Sequence, residues 1–187
     1  MLQHWIEPPT DDYEISPCKG FRTLKSEYGT IYSSEEPRDF RTNLPSGRLE
    51  QITSMVFTGF SKCLYFLQKF DSNSELEFSR ILENDLAVLK WFKPGKNVFN
   101  VYYRFQGDDK LYVPDFVVET SDKKFLCEVK RVSELNDEEV QAKTKAALLW
   151  TERASQFDYK EWKLLLIPHD KIIPNATLEG LTAKYQK

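Results

Sequence analysis

Basic residues are not in excess in this sequence, where 26 lysines and arginines stand against 29 aspartates and glutamates, a formal net charge of -3. A globally basic surface is therefore excluded, and any nucleic-acid binding must be local. The three cysteines are widely spaced and form no C-x-x-C pair. They favour neither a disulfide framework nor a zinc ribbon, and they fit a reducing, intracellular setting.

Long apolar runs are also missing. The longest aliphatic run, residues 164–167, is far too short to span a bilayer. The amino terminus lacks the apolar stretch of a signal peptide. We therefore expect a soluble, cytoplasmic protein with no membrane partner.

Histidine is scarce, with only His4 and His169 in the chain. A histidine-based triad or a multi-histidine metal site has little to work with. The sequence contains no P-loop and no glycine-rich dinucleotide motif either. Carboxylates and lysines remain as the groups that can carry chemistry, and hard oxygen ligands of this kind suit Mg²⁺, for which Mn²⁺ can substitute.

A chain of 187 residues with 41% hydrophobic residues suits one folded domain. Residues 1–56 contain five prolines and no sustained apolar period, so they are interpreted as an irregular connector. A short helix is predicted at its end, from Leu49. Residues 57–187 are predicted to form the domain itself.

The pattern within the domain predicts a mixed α/β architecture. A helix is expected after Ser72 or Ser74, each of which has a glutamate three residues later and can start a capping box. A long helix, capped by Asn136 and Glu139, is expected to carry one apolar stripe. The predicted strands cover residues 88–92, 98–105, 112–119, 124–131 and 163–168, with a turn at 107–110. The expected fold is a mixed central sheet with helices on both faces and a hairpin formed by the third and fourth of these strands.

Three charged residues stand out in two otherwise apolar segments of this hairpin, 113–116 and 127–130. Asp115 lies on one strand, and Glu128 and Lys130 lie on the next. Side chains alternate along a strand, so Glu128 and Lys130 share a face, and the hairpin can bring Asp115 beside them. A divalent cation held by the two carboxylates would offset the cost of burying them.

The same residues have a simpler interpretation. Glu128 and Lys130 can be an ordinary ion pair on a solvated strand, because the tripeptide Glu-x-Lys is common and surface pairs stabilise little. A second copy, Glu161 to Lys163, has no Pro-Asp shortly before it and serves as an internal control. Two features distinguish the copy at Glu128 from this control, namely the Pro-Asp at 114–115 and the length of the turn between the two strands.

These motifs resemble those of the PD-(D/E)xK nucleases of the restriction-endonuclease-like fold. A longer match, over residues 57–154, is similar to the carboxy-terminal nuclease domain of type III restriction enzyme subunits and related helicase-linked nucleases. The segments that carry this match are 69–75, 88–91, 112–116, 128–130 and 139–143, with the alanine pair at 146–147. Residues before them resemble, more weakly, the connector between motor and nuclease.

The resemblance implies Asp115 and Glu128 as metal ligands and Lys130 as the catalytic lysine. An acidic residue on the preceding helix often completes the metal shell in this family. Glu75 is the matching position and Glu77 is the competing one, although either can simply be a capping acid at a helix start.

Lys143 interrupts the apolar stripe of the long helix. This position suggests that its ammonium points to the active site. Alternatively, its alkyl stem covers the sheet edge while the charge reaches water.

The expected activity is Mg²⁺-dependent endonuclease cleavage of DNA, as the nuclease part of a type III-like restriction system. The resemblance implies a helicase or translocase motor and a modification subunit, and the missing Walker motif places the motor elsewhere. Cutting both strands would require two sites, and so a transient dimer. The alternative is a non-catalytic nucleic-acid-binding or assembly module with the same fold.

Overall fold

The computed structural model describes residues 36–44, 51–95 and 98–187, together with the backbone of two short strands nearer the amino terminus. These two strands, β1 (Trp5–Glu7) and β2 (Glu14–Ser16), form an antiparallel pair. Most of the predicted connector, and Leu49 at the start of its predicted helix, lie outside the described residues. The described end of that helix is one 3₁₀ turn at residues 51–54.

The remaining strands build one mixed sheet and two small pairs. Strands β3 (Arg38–Asp39) and β4 (Phe57–Thr58) pair in parallel. The central sheet has the order β10-β9-β8-β5. Its members are β5 (Lys90–Phe92), β8 (Phe116–Glu119), β9 (Lys123–Lys130) and β10 (Glu161–Pro168). Strands β8 and β9 form the predicted antiparallel hairpin, β5 pairs antiparallel with β8, and β10 runs parallel to β9.

In the described part of the chain, three helices flank this sheet, namely α1 (Asn73–Asn84), α2 (Glu138–Phe157) and α3 (Leu178–Tyr185). Alternate residues of the strands enter different cores. Phe116 and Cys127 pack with side chains of α1 and α3, whereas Val117 and Leu126 pack with side chains of α2. The helices therefore cover both faces, and the predicted α/β class with a mixed central sheet is confirmed.

Tryptophans fill both cores, as large apolar side chains do when they drive folding. Trp91 belongs to the core of α1 and α3, and Trp150 and Trp162 belong to the core of α2. All three are less than 5% exposed. Their rings are therefore packing groups and not platforms for stacking bases.

The predicted strand over residues 112–119 is wrong as a single element. Strand β7 (Asp108–Tyr112) ends at Tyr112 and pairs with β6 (Val101–Phe105), while β8 starts four residues later and pairs with β9 and β5. Pro114 lies in the break and has no N–H to donate to a ladder, so the chain changes partner there.

The predicted turn at residues 107–110 lies too late in the chain. The β6–β7 turn is formed by Gln106 and Gly107, both with positive φ, at 53° and 87°. Two consecutive residues of this kind give the tight hairpin turn whose twist matches its strands. Asp108 to Lys110 are consequently part of β7.

The two helix starts differ in how well they were predicted. Ser72 caps α1, and its hydroxyl accepts a hydrogen bond from the backbone N–H of Glu75 at 3.2 Å. The predicted Asn136–Glu139 box is wrong, because α2 is preceded by Asp137, whose side chain makes no capping bond. Glu139 instead accepts a hydrogen bond from the Tyr103 hydroxyl at 2.6 Å, which competes with a capping role.

Glu83 connects the end of α1 to the loop before β5 and to β5 itself. Its carboxylate accepts hydrogen bonds from the Ser61 backbone and hydroxyl, the Lys62 backbone and the Trp91 indole, all within 3.0 Å. Burial alone would raise the pKa of Glu83, but these donors outweigh burial and lower the pKa overall.

The Glu83→Gln variant is expected to lose about 2 kcal/mol of unfolding free energy in urea titrations at pH 7. The glutamine N–H₂ group cannot accept hydrogen bonds, so it would face N–H and O–H donors that the carboxylate of Glu83 accepts from. The folded-state pKa is lowered, so the charge stabilises the fold above the unfolded-state pKa. This part of the stability is lost as pH falls through the folded-state pKa, and it should be missing from the pH profile of Glu83→Gln.

Glu77→Gln, on the same helix, removes only a pair with Arg80 and should cost at most about 0.5 kcal/mol. Equal losses in the two variants would contradict the role given to Glu83.

Candidate metal centre

Asp115 lies in the break between β7 and β8, immediately before the hairpin of the central sheet begins. Its Oδ2 accepts a hydrogen bond from the backbone N–H of Val129 at 2.8 Å. This bond fixes the carboxylate against the end of β9, where Glu128 and Lys130 lie. Within the described residues, Oδ1 accepts no hydrogen bond, so one acidic oxygen remains available to a ligand.

Glu128 and Lys130 project from the same face of β9, as strand alternation requires. The Lys130 ammonium lies 2.6 Å from Glu128 Oε1. The Tyr112 hydroxyl donates to Glu128 Oε2 at 2.9 Å from the last residue of β7. Glu128 is buried at 7% exposure, so its charge is held by these two partners and not by solvent.

Asp115 interacts electrostatically with Glu128 and Lys130 of β9. Burial, and then repulsion by Glu128, raise the pKa of Asp115 to about 7, although Lys93 and Lys130 oppose this rise. The hairpin thus brings Asp115, Glu128 and Lys130 to one place. Lys93 and Lys130 therefore offset only part of the free-energy cost of charging Asp115.

Lys130 is held in its charged form. Burial alone would lower the pKa of Lys130, but Glu128 and Asp115 outweigh burial and raise it. A lysine in this state can donate hydrogen bonds and neutralise developing negative charge, but it has no lone pair with which to accept a proton.

Glu75 lies on the other side of Asp115, near the start of α1. Its Oε2 accepts a hydrogen bond from the backbone N–H of Asp71 at 3.0 Å and lies 2.8 Å from the ammonium of Lys93. Burial, and repulsion by Asp115, raise the pKa of Glu75, while Lys93 opposes the rise. Glu75 therefore pairs with Lys93, and both residues interact electrostatically with Asp115.

Glu77, the competing position, does not join this group. Its carboxylate pairs with Arg80 at 2.5 Å and lines a separate groove with Phe40 and Asn84. Helical spacing explains the difference, because two residues along a helix correspond to a rotation of about 200°.

Lys143 of α2 lies on the wall of a small pocket that Tyr112, Glu128 and Lys130 also line. Its ammonium is 3.3 Å from Glu139 Oε1, one turn earlier on the same helix. Lys143 is therefore next to the site, and its charge is shared with Glu139.

The second Glu-x-Lys copy lies at the opposite end of the sheet. Glu161 pairs in register with Lys123 at the start of β9, seven residues before Lys130, which corresponds to about 23 Å along a strand. Glu161 and Lys163 form an ion pair at 2.5 Å, and the glutamate side chain is 49% exposed. This copy is the surface ion pair that the simpler interpretation describes.

Two residues of the site were missed at the sequence level, Lys93 and Tyr112. Lys93 directly follows β5, and continuing the register from Phe92 and Val117 places it opposite Phe116, beside Asp115. Tyr112 is two residues before Pro114, at the end of the preceding strand. Each lies next to the Pro-Asp in the fold, and the pairing of β5 with β8 was the signal that would have located Lys93.

The carboxylates of the site fit one of the ways in which proteins bind a divalent ion. Among the residues that the structure describes, no group of three or more histidine, cysteine, aspartate or glutamate side chains is arranged to hold a metal ion. Mg²⁺, however, keeps several waters and is commonly bound by one or two carboxylates together with substrate phosphates. Asp115 and Glu128 fit this mode of binding, since two acidic side chains meet there with an oxygen of Asp115 free.

Comparison of the chain with protein-family models gives no match, and a search of curated proteins finds no significant match. In the part of the chain that is described, no helix is both long enough and apolar enough to cross a bilayer. The fold and the site together describe an α/β domain in which two carboxylates and a lysine lie at one end of a sheet hairpin.

Proposed function

We propose that this chain is a divalent-metal-dependent endonuclease that hydrolyses DNA phosphodiester bonds in the cytoplasm, as the nuclease part of a type III-like restriction system. The observation that carries the proposal is the meeting of Asp115, Glu128 and Lys130 where β8 begins and β9 ends. The resemblance of its motifs to PD-(D/E)xK nucleases supports the same activity. The partners proposed with it are DNA, a motor and a modification subunit on other chains, and a second copy during double-strand cutting.

The chemistry proposed for the site is direct attack of water on phosphorus. A bond forms between the water oxygen and the phosphorus, the bond to the leaving oxygen breaks, and the water loses a proton while the leaving oxygen gains one. Mg²⁺, when bound, would increase the acidity of water and stabilise charge on the phosphate oxygens. Asp115 and Glu128 are the residues that would hold it.

The protein's own groups have separate tasks in this scheme. Lys130 remains protonated and donates hydrogen bonds to the attacked phosphate, where charge accumulates in the transition state. Tyr112 donates to Glu128 and keeps that carboxylate in one orientation. The backbone N–H of Val129 does the same for Asp115.

Removing divalent ions should abolish cleavage. Plasmid and linear DNA are expected to be cut with Mg²⁺ or Mn²⁺ and left intact with a chelator. Glu128→Gln should lower Mn²⁺ affinity in calorimetry by roughly 100-fold or more, since changing only the groups that orient a ligand costs roughly 10–100-fold. Glu161→Gln alters the matching tripeptide on β10 and should behave like the unmodified chain. Equal Mn²⁺ affinity in the two variants would contradict the proposal.

A non-catalytic module of the same fold is the second candidate, and one observation favours it. Both oxygens of Glu128 are already engaged by groups of the chain, Lys130 and Tyr112. If no condition gives cleavage, even with the motor supplied, the module is the correct assignment. Metal-dependent cleavage would decide for the enzyme.

A further inference from the structure

A lysine that the proposed chemistry does not use lies inside the acidic site. The Lys93 ammonium is 2.8 Å from Glu75 Oε2 and 3.0 Å from Asp71 Oδ2. It also lies 5.9 Å from the centre of the Phe116 ring. The side chain is only 14% exposed, and lysines are rarely buried to this extent unless they are paired.

The position of Lys93 is set by the sheet and not by a flexible loop. It follows Phe92, the last residue of β5, which is in register with Val117 of β8. Its partner Glu75 is fixed in turn, because Glu75 accepts the Asp71 backbone N–H while its own N–H is donated to Ser72. Lys93 and Glu75 therefore form an ion pair whose two members are both held by backbone structure.

The charges of the site leave room for one divalent ion. The buried carboxylates of Glu75 and Glu128 and that of Asp115 face two ammonium groups, those of Lys93 and Lys130. With all three carboxylates ionised, as metal binding requires, one net negative charge remains. Asp71 adds little, because its side chain is 77% exposed and solvent screens it. A single divalent ion reverses this balance, whereas a second ion would place three net positive charges among groups a few ångströms apart.

We infer that Lys93 takes the place of a second divalent ion on the Glu75 side of the site, so that the chain binds one such ion, at Asp115 and Glu128. The inference rests on the proposed function, because it assumes that the carboxylate pair binds metal. It assigns Glu75 a positioning role, which is to hold the Lys93 ammonium. It differs from the expectation drawn from the resemblance, in which Glu75 is itself a ligand.

Mn²⁺ titration of the full chain by calorimetry tests this directly. The unmodified chain should bind one ion. Lys93→Met removes the ammonium group that pairs with Glu75 and Asp71 and attracts Asp115. This variant should bind two ions. The double variant Lys93→Met with Glu75→Gln removes the released carboxylate and should return to one. Lys124→Met, which removes an equally buried lysine bonded to Asp158 on another part of the sheet, should also bind one.

Each outcome separates the two proposals. No bound ion in the unmodified chain would defeat the metal centre of the proposed function. Two ions in the unmodified chain, or one in a folded Lys93→Met chain, would overturn the role of Lys93 and leave the metal centre standing. If circular dichroism shows that Lys93→Met does not fold, crystals of the unmodified chain with Mn²⁺ decide. One anomalous peak beside Asp115, with Lys93 still on Glu75, supports the inference, and a second peak beside Glu75 overturns it.

Discussion

Replacement of Lys130 by methionine is expected to lower the rate of DNA cleavage by roughly 100-fold to 1000-fold, as the loss of one donor to transition-state charge does in other enzymes. The substitution keeps most of the aliphatic stem and removes only the ammonium that lies 2.6 Å from Glu128. Mn²⁺ binding should persist, because both carboxylates remain and lose a competing cation. Single-turnover cleavage assays at saturating Mn²⁺ measure the first effect, and calorimetry measures the second.

The chain supplies its own control for this experiment. Lys163→Met removes the ammonium of the second Glu-x-Lys copy, at the other end of the sheet, and should leave cleavage unchanged. If the two methionine variants cut DNA equally well, Lys130 has no part in the reaction. If Lys130→Met loses metal binding as well, its task is to maintain the carboxylates and not to stabilise the phosphate.

Replacement of Asp115 by asparagine is expected to abolish cleavage and to weaken Mn²⁺ binding by roughly 100-fold or more, a loss larger than that caused by changing a neighbouring orienting group. The asparagine oxygen can still accept the Val129 N–H, so the hairpin geometry is kept. The metal-free variant should be at least as stable to urea as the unmodified chain, because a charge beside Glu128 is removed.

The control for this substitution is Asp122→Asn, in the turn at the other end of the same hairpin. Asp122 is exposed and pairs with Lys123 at 3.2 Å. Its replacement should change neither metal affinity nor cleavage. Unchanged Mn²⁺ affinity in a folded Asp115→Asn chain would remove Asp115 from the metal centre.

The part of the fold that the sequence predicted depends on local patterns. The β8–β9 hairpin follows from two short apolar runs around a polar turn, and the start of α1 follows from a serine three residues before a glutamate. The side on which Glu128 and Lys130 meet follows from alternation alone. Each of these signals spans fewer than about twenty residues.

The failures involve choices between partners that are distant in the chain. Pro114 marks a break, but only the sheet shows that β7 pairs with β6 while β8 pairs with β9. Glu139 was assigned to a cap, yet the Tyr103 hydroxyl, 36 residues earlier, binds it instead. Lys93 was missed for the same reason, because only the fold shows that it lies beside Glu75 and Asp115.

The β6–β7 hairpin has a mechanical relation to the proposed centre. Among the described residues its strands pair only with each other and not with a strand of the central sheet, and β7 continues through three residues into β8. Its final residue, Tyr112, donates a hydrogen bond to Glu128, and Asp115 lies in the segment between β7 and β8. A tilt of this hairpin would therefore move both carboxylates at once and alter their separation. In the proposed system, force applied by the motor at the hairpin tip would act on the spacing of the two carboxylates without contact with the phosphate.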